Sequence, residues 1–402
     1  MKYRGLVILF GVLAAVVAAA TIPTAGQAPS HMTPKTPWGD PDFQGIWRGV
    51  GNVPFERPAK WAGREFKTDE EIAALTLTAE NRNAARLAGK QENRGFRDQP
   101  NYNAVFGYNP EKIRIPRRTS AIIDPPDGLL PPWTLEAVKA YEAREAVTAP
   151  RGDADWTVDR PPMERCISNF GVPNANAWGM GLGSGETVIY GGDFEKTVLG
   201  NPDVNPGGEG LNPNKNFGRP RRIIQAPGYV VFADEQSYGY HIIPMDGRPH
   251  LDKKFEQYLA DARGHFDGDT LVVEYTNIKS FGPVIPSYGS TIYPSDDMSS
   301  VKVTERYTQV GPGEIDYQYI VDDPSTYTRA YTVQLDLFQD NDYQISPVPC
   351  REGIDDMGTT LYGWRLDEDQ ATQNADETRQ ARKPVFERIK KKAMEAAKGQ
   401  SR

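Results

Sequence analysis

Apolar residues follow two different rhythms along this chain. In residues 67–89 and 134–145, on either side of a Pro-rich loop, they sit among Ala- and Glu-rich helix formers. Thr68-Asp-Glu-Glu71 reads as a capping box, with Thr68 as cap and Glu71 three residues on, so a helix is predicted from 67 to about 89. A second helix is predicted from Thr134 through Glu145. After residue 186 the apolar positions condense into short β-prone runs: Thr187–Tyr190, Arg222–Ile224, Tyr229–Phe232, His241–Ile243, Thr270–Ile278, Val301–Val310, Ile315–Val321, Thr328–Leu337 and Tyr343–Val348. Gly311-Pro-Gly313, Asp322-Asp-Pro324 and Gln339-Asp-Asn-Asp342 punctuate them. That pattern predicts a mainly β protein, an antiparallel meander that is barrel-like, with peripheral helices. Residues 367 to 397 are polar and helical, with acids at the start and Lys390 to Lys392 near the end, as the helix dipole favours.

The domain reading follows from these elements. Residues 1–25 form a signal peptide, 26–150 a Pro-rich segment whose two helices pack on the core, 151–366 the antiparallel β domain, and 367–402 a C-terminal helix or tail. Pro41-Asp-Phe-Gln-Gly-Ile-Trp-Arg-Gly49 alternates apolar and polar residues and reads as one early strand. No repeat of 20–50 residues is visible, which disfavours a propeller or solenoid.

Lys2 and Arg4 precede Leu6 to Ala20, a 15-residue apolar run followed by small residues. That run is short for a membrane span, so a cleavable leader is favoured over an uncleaved anchor, and the location is periplasmic or secreted. The chain holds 38 glycines and 33 prolines, more than a helical protein tolerates. Its net charge of −8 argues against nucleic acid and anionic membrane surfaces, and no second apolar run approaches membrane length. Two cysteines, Cys166 and Cys350, most often pair in an exported chain, the alternative being two buried or reactive thiols.

Candidate chemistry concentrates between residues 235 and 274, which hold His241, His250 and His265. Three readings stay open there. The histidines could bind a metal with Asp269 or Glu274, although their spacing matches no metal motif and no metal is expected. His250, Arg263 and an acid, Asp269 or Glu274, could carry out acid/base chemistry, since His exchanges protons near neutral pH and Arg holds a carboxylate or enolate. Alternatively these side chains only pin turns. Trp47, Trp178, Tyr240 and His241 are candidates for a ligand-binding wall. The Gly-rich stretch Gly179–Gly185 lacks the Lys-Ser/Thr of a phosphate loop, so no cofactor is expected.

Pro41-Asp-Phe-Gln-Gly-Ile-Trp47, Ile243-Pro-Met-Asp-Gly-Arg-Pro-His250, Arg263-Gly264, Gly268-Asp-Thr-Leu-Val-Val273 and Glu305-Arg306 together resemble a large family of uncharacterised secreted bacterial proteins. Where that family has Trp this chain has Phe266, and its Cys-His-Glu-Gly is here Cys350-Arg-Glu-Gly353. The family implies export but no activity. The Gly-x-Trp at 45–47 is also similar to lipocalin-like barrels. The resulting expectation is an exported protein that binds a small hydrophobic or aromatic organic molecule, with its transformation by acid/base chemistry left open. The rival is a non-catalytic ligand-binding or envelope structural module. Oligomeric state is left open.

Overall fold

Inward-facing apolar residues at every second position drive the sheet. In a computed structural model, the described residues are 32–49, 53–54, 56–87, 115–148, 156–157, 221–234, 240–279, 298–345, 358, 361–363 and 368–400. The unit Thr33–Arg402 carries ten strands and three α-helices among its described residues. The strands are β1 (Gly45–Gly49), β2 (Ile122–Asp124), β3 (Arg221–Ala226), β4 (Tyr229–Asp234), β5 (Tyr240–Pro244), β6 (Asp261–Asp267), β7 (Thr270–Thr276), β8 (Lys302–Gly311), β9 (Glu314–Asp322) and β10 (Tyr331–Gln339). The helices are α1 (Asp69–Leu87), α2 (Leu135–Thr148) and α3 (Glu368–Gln400).

Every strand pairing is antiparallel, in the order β5-β4-β3-β1-β10-β9-β8-β7-β6, with β2 also on β10. The sheet curls until β5 approaches β6, so it is nearly closed into a barrel. Alternation is clearest in β8 and β9. Val303, Glu305, Tyr307 and Gln309 point inward from β8, and Ile315, Tyr317, Tyr319 and Val321 from β9. Tight turns at Gly228, Gly268 and Gly313 join consecutive strands, each with the positive φ that glycine adopts without strain.

The β5–β6 seam is closed by packing rather than a hydrogen-bonded ladder. Ala262 and Gly264 are the small inward residues of β6 there. A Cβ on Gly264 would stand 2.4 Å from Met245 Sδ and 2.9 Å from Ile243 Cγ2. The thioether can swing away, but Ile243 is fully buried. Gly264→Val is therefore expected to cost about 1–3 kcal/mol through overpacking, read as a lower urea midpoint with an unchanged slope.

Residues 26–150 contribute strands β1 and β2 as well as helices. α1 opens on the reciprocal pair expected of its capping box: Thr68 N–H donates to Glu71 Oε2 at 2.9 Å, and Glu71 N–H to Thr68 Oγ1 at 3.2 Å. α3 lies against α2, with Phe386 stacked on Tyr141 at 4.3 Å and Lys390 bonded to Glu142 at 2.6 Å. β6 is a strand where the sequence suggested only turns, because its inward side chains are Ala262, Gly264 and Phe266 rather than β-branched residues. Tyr343–Ile345 is not a strand.

Candidate functional site

Strand parity sorts the chemistry-bearing residues onto two faces. Asp261, Arg263 and His265 alternate with the inward Ala262, Gly264 and Phe266, so they lie on the outside of the barrel. Asp261 is nonetheless only 4% exposed, because residues 249–260 fold over it. Its Oδ2 meets His250 Nδ1 at 2.8 Å and accepts Leu251 N–H at 2.9 Å. Its Oδ1 accepts Arg263 Nη1 at 2.6 Å. Arg263 also donates through Nε to the Pro249 carbonyl at 3.0 Å. His250 and Arg263 thus share one carboxylate, and it is Asp261.

Of the other acids named for that role, Asp269 lies elsewhere and Glu274 neighbours Arg263 across the strand pair. Asp269 is exposed and paired with Lys35. Glu274 is exposed and stands opposite Arg263 in the β6–β7 register. His265 is exposed. Among the described residues no three His, Cys, Asp or Glu side chains converge as metal ligands. Trp178, Cys166 and Cys350 lie outside the described residues. Tyr240 is exposed on the outer face of β5, whereas Trp47 is buried, its indole N–H donating to the Phe43 carbonyl at 2.8 Å.

Asp261 closes the loop by three contacts, so Asp261→Ala is expected to cost about 2 kcal/mol, the scale of hydrogen bonds to a charged group. Hydrogen exchange at the Leu251 amide should accelerate more than exchange in β8 or β9. Equal acceleration in both places would mean that Asp261 supports the barrel as a whole.

The second constellation lies inside the barrel. Glu305 is 1% exposed on β8. Its Oε2 accepts the phenol protons of Tyr275 at 2.8 Å and Tyr307 at 2.9 Å, and its Oε1 accepts that of Tyr317 at 2.7 Å. Arg221 Nη1 stands 3.5 Å from Glu305 Oε2 and donates to Tyr307 Oη at 2.5 Å. The guanidinium carbon also lies 4.7 Å from the centre of the Phe232 ring. A buried ion pair is tolerated when hydrogen bonds satisfy its remaining valences, and here they do.

Among the described residues of this interior, His241 Nε2 and Tyr319 Oη have no hydrogen-bond partner. His241 is buried on β5, in register with Phe232, and its ring meets Tyr275 edge-on at 5.9 Å. Tyr319 is fully buried and stands directly opposite Glu305 in the β8–β9 register. The two residues therefore border the Glu305 cluster, His241 from β5 through Tyr275 and Tyr319 from β9.

Burial, reinforced by the Arg221 cation, pulls the His241 pKa down to about 3, so the imidazole is neutral at pH 7. Burial first, then the Glu305 charge, pushes the Tyr275, Tyr317 and Tyr319 phenols well above their usual value, so all stay protonated. The cluster offers a neutral imidazole and a neutral phenol beside a charge pair that is already matched.

Sequence reasoning named His241 but not Glu305, Arg221 or the tyrosines as site residues. The available signal was phase: Glu305 occupies an inward position between Val303 and Tyr307. Compared with known proteins, the chain matches no protein-family model, no curated protein and no solved structure.

Proposed function

We propose that the protein is exported to the periplasm or beyond and binds a small hydrophobic or aromatic organic molecule inside its barrel. The observation that carries this reading is the orphaned Nε2 of His241. Native interiors pair nearly all buried polar atoms, and an exception calls for an explanation such as a ligand or a bound water. A barrel of about eight strands has room for side chains or one small ligand, and nine strands follow one another around this sheet, with β2 off that path. The aromatic walls and the apolar N-terminal run support the ligand class and the export.

Thermal shift with uncharged aromatic compounds tests it. A ligand that binds only the folded state raises the melting temperature with its concentration. The expected result is a graded rise with aromatics and none with sugars or amino acids. No rise with any aromatic compound would overturn the reading.

The outer face favours a second reading, acid/base catalysis by His250. Asp261 fixes one ring nitrogen, which orients the other toward proton exchange. His250 and His241 lie on opposite faces of the sheet, so this chemistry would act on a molecule at the outer loop. For any substrate found, His250→Ala should then abolish turnover without lowering the melting temperature; a stability loss with activity retained would leave His250 a loop anchor.

A further inference from the structure

Resting on the reading that the barrel binds a small organic molecule, we infer that the interior selects an uncharged molecule with a hydroxyl or carbonyl oxygen on an apolar frame, held by Tyr319 and His241. The inference follows from which groups are used and which are not. Glu305 already accepts three phenol protons and faces Arg221, so a cationic ligand would have to displace a matched partner. Arg221 is likewise committed to Glu305 and Tyr307, so an incoming carboxylate would compete with a buried one. Bringing in an ion without a counter-charge is costly in a dry interior.

What remains to be satisfied is neutral. Tyr319 Oη can donate one hydrogen bond and accept another. His241 Nε2 donates or accepts according to tautomer. A phenol or alcohol oxygen can accept from Tyr319 and donate to His241; a ketone oxygen can accept from both. Apolar and aromatic groups such as Phe232, Val273 and Tyr317 complete the inner surface around these two atoms. A site that hydrogen-bonds a ligand hydroxyl rejects the analogue lacking it, because the site's own buried groups are then left unpaired.

The experiment is calorimetric titration at pH 7 with four probes of one frame: p-cresol, 4-methylbenzoate, 4-methylbenzylamine and toluene. Wild-type protein is compared with His241→Phe and Tyr319→Phe. The expected order places p-cresol first, with toluene about tenfold or more weaker and both ions weaker still. Each variant should lose about tenfold for p-cresol and keep its toluene affinity, which also shows that the variant barrel is intact. If the benzoate or the amine binds as tightly as p-cresol, the selectivity for a neutral head group is overturned while interior binding stands. If both variants bind p-cresol like the wild type, the assignment to Tyr319 and His241 is overturned. If none of the four probes binds and thermal shift is also flat, the binding reading falls and the inference with it.

Discussion

Replacing Glu305 by Gln is expected to lower the stability of the fold by about 3–5 kcal/mol, the cost of stripping one partner from a buried ion pair. The amide keeps the shape but removes the carboxylate charge that stands 3.5 Å from the buried Arg221 guanidinium. It also turns a carboxylate that accepts three phenol protons into a group with a single acceptor oxygen. Removing both charges while keeping an acceptor for the phenols should cost less, because no buried ion then loses its counter-charge. Urea denaturation of Glu305→Gln and of the double variant Arg221→Met with Glu305→Gln checks this. A double variant as unstable as the single would mean that the tyrosine network, rather than the charge pair, sets the stability.

The second large effect is acid sensitivity carried by His241. An unfolded histidine binds its proton near pH 6.5, whereas the buried one does so only near 3. Between those values the unfolded state holds more protons, so stability rises with pH. The contribution is complete above about pH 6.5 and is lost progressively as the pH falls toward 3. From pH 7 to pH 5 the loss is on the order of 2 kcal/mol. His241→Phe should flatten this slope, and carboxylates titrating lower should leave the remainder unchanged. In the absence of ligand the same variant should be as stable as the wild type or more so at pH 7, because it removes an unpartnered buried nitrogen. Stability profiles of the two proteins from pH 4.5 to 8 decide it. Identical slopes would contradict the buried, neutral state of His241.

The meander was legible because β-branched and aromatic residues alternate with polar ones between strong turn signals, as in Val301–Val310 and Ile315–Val321. The caps of α1 were legible because Thr68 and Glu71 interact locally. β6 was not, since its inner face is made of Ala262 and Gly264, whose small size is dictated by the approach of Ile243 and Met245 across the seam. That is a tertiary requirement with no local trace. Missing β6 also hid Asp261, which shares an outer face with Arg263 only once the two are on a strand. The pairing of His250 and Arg263 in one region was visible from their density; the identity of the acid between them was not. Glu305 was overlooked for a different reason. In Lys302–Gly311 it reads as one more surface charge unless its parity with Val303 and Tyr307 is counted, and its Arg221 partner lies 84 residues earlier at the far side of the sheet order.

Nitrogen-15 spectroscopy of the four histidines during a p-cresol titration is the most direct measurement of what the barrel interior does. The expected result is a saturating shift of the His241 Nε2 resonance, with the dissociation constant found by calorimetry, while the His250 and His265 resonances stay fixed. Saturation of p-cresol binding with His241 unmoved, or a shift confined to His250 on the outer face, would contradict an interior site.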